Sequence, residues 1–160
     1  MPDPQRRIYW DASVFLSYIN GYADRAPTIE TLLDEAQRGD FELLTSALST
    51  VEVSFAAAEQ QRQRLSPDVE AKIDQLWLPP SPVKLVEFYA LIGEGAKALM
   101  RAAITRGWSL KPMDAIHLST ARRLGVSEFH TYDQGLQKYR QDVGCPIREP
   151  FTTRPRLPGT

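Results

Sequence analysis

The chain is short of cysteine and histidine: Cys145 is its one cysteine, and it has two histidines in 160 residues. No internal disulfide can form, which fits a reducing compartment. No cluster of Cys and His with zinc-ligand spacing is present either. Cys145 lies in the turn-like stretch Val143-Gly144-Cys145-Pro146 with no histidine beside it, the setting of a passive thiol. Net charge is equally small, −1 from 19 Lys and Arg against 20 Asp and Glu. There is no global basic field to attract a polyanion, so a nucleic-acid ligand would need a local patch. No apolar run approaches the roughly 20 residues that a bilayer span requires. The opening MPDPQRRIYW lacks the apolar segment of a signal peptide. A cytoplasmic protein with no membrane association is expected. A hydrophobic share of 42% and a charged share of 24% suit one globular domain with a proper core.

Strand and helix patterns alternate along the chain. Ile8 to Trp10 is a short bulky run that suits a buried strand, and Ala12 to Ile19 starts a helix at once. Ile29, Leu32, Leu33 and Ala36 share one helix face, stopped near Gly39. Phe41 to Thr45 reads as a second strand. Ser49 is expected to cap a following helix in a box with Glu52, and Pro67 to Leu76 forms a further helix, the two making a hairpin. Val83 to Phe88 is a third strand and Tyr89 to Arg106 a helix capped by Gly107. Pro112 opens a helix that stops at Gly125. Val126 to Tyr132 is a fourth strand, Gln134 to Arg140 a short helix, and Cys145 to Ile147 a fifth, edge strand. The pattern predicts an α/β fold, a three-layer α/β/α sandwich around a parallel sheet of four to five strands. It assigns residues 1–147 to one domain and 148–160, rich in Pro and Thr, to a tail.

Four acids stand at the boundaries of these elements. Taken singly, each has an ordinary explanation. Asp11 and Asp133 can cap the helices that follow them, Glu52 can complete the capping box, and Asp114 suits the first turn of a helix. Taken together they suggest more. Asp11 and Asp133 both follow parallel strands, while Glu52 and Asp114 both lie near helix N-termini, so all four are expected at one edge of the sheet. Carboxylates gathered there repel one another and raise each other's pKa unless a cation intervenes. Mg2+ or Mn2+, which take hard oxygen ligands, would resolve this.

The same residues carry a resemblance. Asp11-Ala12-Ser13, Ser49-Thr50-Val51-Glu52-Val53, Asp114-Ala115-Ile116-His117-Leu118-Ser119-Thr120-Ala121 and Phe129-His130-Thr131-Tyr132-Asp133-Gln134-Gly135-Leu136 occur in order, each at the right boundary. Together they resemble the PIN domain, most closely the VapC-type toxins of toxin–antitoxin pairs. The resemblance implies a Mg2+-dependent endoribonuclease, a homodimer, and inhibition by a cognate antitoxin, for which the groove between the Glu52 and Pro67 helices is the expected seat. It passes the family's acidic site to Asp11, Glu52, Asp114 and Asp133. Asp11 and Asp114 are then expected to ligate metal directly, with Glu52 and Asp133 direct or through water. Ser13 and Thr131 are supporting candidates that donate to a carboxylate or phosphate. His117 shares a helix face with Asp114, and it and His130 are read as hydrogen-bonded structural residues. Trp77 and Trp108 are read as packing or dimer contacts.

Two alternatives stand beside the nuclease. One is a catalytically silent PIN-like module that binds RNA or protein. The other is a metal-dependent phosphatase or DNA nuclease on a similar sheet, but haloacid-dehalogenase-type phosphatases want D-x-D and here the third position is Ser13. Basic residues such as Arg62, Arg101, Arg122, Arg123 and Lys138 are scattered. They are solvated helix faces first, and rim contacts for RNA phosphates second.

Overall fold

The computed structural model describes residues 5–62 and 64–152. A five-stranded parallel sheet runs in the order β3-β2-β1-β4-β5. The strands are β1 (Arg7–Trp10), β2 (Glu42–Ser46), β3 (Val83–Val86), β4 (Glu128–His130) and β5 (Ile147–Arg148). The helices are α1 (Ala12–Ile19), α2 (Ala26–Gln37), α3 (Ser49–Gln60), α4 (Pro67–Trp77), α5 (Ala90–Thr105), α6 (Pro112–Leu124) and α7 (Arg140–Val143), with a 3-10 helix at Gln134–Tyr139.

Alternation along β1 divides the core. Ile8 and Trp10 face a cluster built from α1, α2, α3 and α4, whereas Tyr9 faces one built from α5, α6 and α7. All three side chains are fully buried, and burial of such a residue contributes about 1.5–3 kcal/mol. This is the three-layer α/β/α arrangement that the alternating pattern predicts. The central strand buries bulky side chains on both faces, and Asp11 follows directly after its last residue as the N-cap of α1.

Local chemistry sets the ends of α6. Pro112 occupies its first turn, Arg122 and Arg123 its last, and Gly125 closes it at φ +62°, a left-handed backbone that glycine adopts without penalty. Several elements differ from the sequence pattern. β4 is shorter than Val126–Tyr132 because Tyr132 N–H leaves the ladder to bond Ser13 Oγ at 2.9 Å. β3 ends at Val86, and the short helix after Asp133 is 3-10. The capping box at Ser49 and Glu52 does not form. Leu48 is the N-cap and no side chain caps the helix; Ser49 Oγ instead bonds Thr45 Oγ1 at 2.8 Å. β5 extends through Arg148, and the Phe151 ring lies 6.0 Å from that of His130. The remainder of the expected tail, 153–160, lies outside the described residues. Among the described residues no helix is long and apolar enough to cross a membrane.

Candidate active site

The strand order reverses at β1: successive strands run outward through β2 and β3, then resume on the other side at β4. In open parallel sheets, the crevice beyond the C-terminal strand ends at such a switch is where ligands bind. Trp10 pairs with His130 in register, so Asp11 and Thr131 emerge side by side.

Asp11 is buried and densely bonded. Its Oδ1 accepts from Ser13 N–H at 3.0 Å and from Ser13 Oγ at 2.5 Å, and its Oδ2 accepts from Thr131 Oγ at 2.5 Å. The two hydroxyls are themselves fixed from the backbone, since Tyr132 N–H donates to Ser13 Oγ and Asp133 N–H to Thr131 Oγ, each at 2.9 Å. Each hydroxyl has one proton, and both protons go to Asp11. A carboxylate offers about four lone-pair positions. Three are taken, which leaves one on Oδ2. Burial pushes the Asp11 carboxyl above its usual range, and the Glu52 charge adds to this, against the pull of His117, Ser13 and Thr131.

Asp114, in the first turn of α6, is half-buried and its pKa is pushed up to about 6. Burial is the leading cause, and the charges of Asp11, Asp133 and Glu52 all push the same way. That mutual effect brings together four acids spread over more than a hundred residues of sequence. Neither oxygen of Asp114 accepts a hydrogen bond from the described residues. Glu52, in the first turn of α3, is half-buried; its Oε1 meets His117 Nε2 at 2.8 Å. Asp133 is the exposed member: its Oδ1 accepts from Gly135 N–H at 2.9 Å, capping the 3-10 helix. The site is thus graded, with one carboxylate at the floor, two on the walls and one at the mouth.

The carboxylates of Asp11, Glu52, Asp114 and Asp133 offer hard oxygen donors, the chemistry that Mg2+ and Mn2+ select. Among the described residues no three Asp, Glu, His or Cys side chains form a ready-made cage. Mg2+ needs none, since it usually binds through one or two carboxylates and keeps several waters. The free position on Asp11 and the uncommitted oxygens of Asp114 fit such an ion.

Sequence reasoning missed Tyr9. Its hydroxyl lies 2.7 Å from His117 Nδ1 and accepts from Ser46 N–H at 3.1 Å. The one signal was a hydroxyl-bearing residue within an otherwise apolar strand. His130 is structural, as its sequence context indicates: Trp10 Nε1 donates to its Nδ1 at 3.1 Å and its Nε2 meets Glu128 at 2.8 Å. Trp77 and Trp108 pack against the two core clusters. Arg106, one of the scattered cations, is tied to Asp142 by two hydrogen bonds, at 2.9 and 3.0 Å.

The family model for the PIN domain matches residues 8–141. Three solved structures share the fold at low identity. VapBC2 from Rickettsia felis, bound to a DNA fragment from its promoter, is 13% identical at a TM-score of 0.68, over 91% of this chain and 99% of that one. VapC20 from Mycobacterium tuberculosis, described as a Sarcin-Ricin loop cleaving toxin, is 16% identical at 0.61, over 79% and 90%. FitAcB from Neisseria gonorrhoeae is 14% identical at 0.64, over 89% and 97%. No curated protein matches the chain in sequence.

Proposed function

The chain belongs to the PIN domain family, and from that premise we propose that it is a metal-dependent endoribonuclease, the toxin of a toxin–antitoxin pair. One observation carries the reading: Asp11, Glu52, Asp114 and Asp133, from four separate elements, come together at one edge of the sheet, close enough that, beyond burial, the other three charges push the Asp114 carboxyl up. Capping and hydrogen bonding account for Asp11, Glu52 and Asp133 singly but not for their convergence with Asp114, and clustered, perturbed acids in a crevice are characteristic of functional sites.

Mg2+ or Mn2+ bound here would polarise a phosphoryl oxygen and supply a water of lowered pKa. Asp11 and Asp114 would hold the ion directly, and Glu52 and Asp133 would do so directly or through water. The chain's own contribution is placement. Ser13 and Thr131 stop the Asp11 carboxylate from turning, so its free lone pair points one way. Asp133, the exposed member of the four, would orient water arriving from solvent.

The partners follow from the same reading. RNA is the substrate. An antitoxin is the inhibitor, supported by the VapBC2 and FitAcB likenesses and by Val51 and Phe55, one turn apart on α3 and both largely exposed. A homodimer is supported by the exposed Phe88, Tyr89 and Leu91 near the start of α5. The cytoplasm is the expected compartment.

Cleavage of defined RNAs with and without Mg2+, comparing the native chain with Asp11→Asn, tests the function. Mg2+-dependent cleavage lost in a folded Asp11→Asn variant is the expected result. Equal cleavage by both proteins overturns the site. Binding of RNA without cleavage at any divalent ion favours the catalytically silent module.

A further inference from the structure

Behind the acidic crevice runs a buried chain of hydrogen bonds whose direction is fixed at both ends. At one end is the backbone N–H of Ser46, which can only donate; it meets Tyr9 Oη at 3.1 Å. At the other is the Glu52 carboxylate, which when ionised can only accept; its Oε1 lies 2.8 Å from His117 Nε2. Between them, Tyr9 Oη and His117 Nδ1 are 2.7 Å apart. One assignment satisfies every atom with a neutral imidazole. Ser46 donates to Tyr9, Tyr9 donates to Nδ1, and Nε2 carries the proton that goes to Glu52. The opposite tautomer would set the Nε2 lone pair against the Glu52 carboxylate oxygen 2.8 Å away with no proton between them, so the Glu52 end of the chain, and not the Tyr9 end, decides the tautomer.

The chain also bridges the two helical layers. Glu52 belongs to α3, on the layer that covers Trp10, and His117 to α6, on the layer that covers Tyr9. His117 is almost wholly inaccessible, whereas the Glu52 side chain is about 30% exposed. A long carboxylate at a helix start is free to swing into solvent unless something inside holds it. Burial of Tyr9, which raises its hydroxyl pKa far above the ordinary value, keeps that donor protonated. The rigid partner therefore orients the mobile one.

We propose that His117, held between Tyr9 and Glu52 as the Nε2–H tautomer, is a positioning residue that fixes Glu52 at the metal-binding crevice through Oε1 and leaves its Oε2 uncommitted among the described residues. This rests on the reading of the acidic site as a metal site. It assigns His117 no proton transfer and no contact with substrate. Residues that orient a ligand from behind are typically worth about 10- to 100-fold in metal affinity or activity.

Two measurements test it. Nitrogen-15 imidazole spectra of the metal-free chain report which ring nitrogen of His117 is protonated, and Nε2 is expected. Calorimetric titration with Mn2+ then compares the native chain with His117→Leu, His117→Gln, Glu52→Gln and the double variant His117→Leu/Glu52→Gln. His117→Leu is expected to bind Mn2+ about 10- to 100-fold more weakly. His117→Gln, which keeps an N–H donor at that reach, recovers most of the loss. The double variant is no weaker than Glu52→Gln alone, because His117 acts only through Glu52. If His117→Leu does not fold, the Gln variant and the tautomer still decide the matter.

A proton on Nδ1, native affinity in His117→Leu, or additive losses in the double variant each overturn the proposal. Mn2+ binding that survives Asp11→Asn, or fails in the native chain, overturns the metal-site reading instead, and the proposal falls with it.

Discussion

Thr131 Oγ donates to Oδ2 of Asp11 at 2.5 Å, across 120 residues of sequence. The bond links the ends of two adjacent strands, and the same oxygen accepts from Asp133 N–H. One hydroxyl thus fixes a carboxylate on β1 and the backbone that sets Asp133 in place. On the proposed reading a hydroxyl there would serve both stability and cleavage, and the two effects separate by substitution.

Thr131→Val keeps the shape and removes the hydroxyl. Asp133 N–H and Asp11 Oδ2 each lose a partner, and Thr131 is buried at 2% exposure, so water cannot easily substitute. The expected loss of stability is about 1–3 kcal/mol, read as a lower denaturation midpoint at unchanged slope. Thr131→Ser restores the hydroxyl and is expected to recover most of both stability and cleavage.

Asp114→Asn should make the metal-free protein more stable at alkaline pH. The folded-state pKa of about 6 lies above the ordinary 3.8. Between these values the folded chain binds the proton more tightly than the unfolded chain, so stability falls as pH rises through the window. Discounted for partial exposure, the cost above pH 6 is about 1–2 kcal/mol. Melting curves without divalent metal should show the variant ahead of the native chain at pH 8 and level with it at pH 4. Mg2+ should raise the native melting temperature at pH 8 and leave the variant's unchanged.

Much of this was legible from the sequence because the chain alternates cleanly. Buried parallel strands read as short apolar runs, and Pro112 and Gly125 bracket α6 without help from tertiary contacts. The acids were legible because their positions at strand and helix ends follow from the same boundaries. What was not legible depends on partners far away in sequence. Ser49 and Glu52 have the spacing of a capping box, yet Ser49 turns to Thr45 and Glu52 to His117. The strand order, and hence the pairing of Asp11 with Thr131, needs the sheet. Tyr9 looked like one more core aromatic because a sequence does not say where a hydroxyl points.

Glu128 should have the opposite pH signature from Asp114. Burial raises its pKa, but hydrogen bonds from His130, Arg6 and Arg148 outweigh this and bring it down to about 2. A depressed carboxyl contributes stability that is complete above pH 4.5 and is lost as pH falls towards 2. Burial lowers the pKa of His130 as well. Below about pH 6.5 the unfolded imidazole therefore takes up a proton that the folded one resists, and acid is destabilising there too. Glu128→Gln is expected to cost about 2 kcal/mol at pH 7, since both arginines are half-exposed and screened. The gap to the native chain should narrow as unfolding is measured from pH 4.5 downwards and close only towards pH 2.

Gly95 lies inside α5, where alanine would ordinarily stabilise the helix by about 1 kcal/mol. Here a Cβ would collide with Ser119 Oγ on α6. That hydroxyl is not free to yield, because it donates to the Ile92 carbonyl at 2.7 Å in a buried position. Gly95→Ala must either push the two helices apart or break this bond, which is worth about 0.5–1.5 kcal/mol, and must also strain the neighbours. Overpacking typically costs about 1–3 kcal/mol, so a net loss of about 1 kcal/mol or more is expected despite the gain in propensity. Ser119→Ala removes the obstacle. The double variant Gly95→Ala/Ser119→Ala should therefore be more stable than Gly95→Ala alone, a coupling that denaturation of the four proteins in the cycle would measure directly. Additive effects would mean that α5 and α6 do not meet at this point.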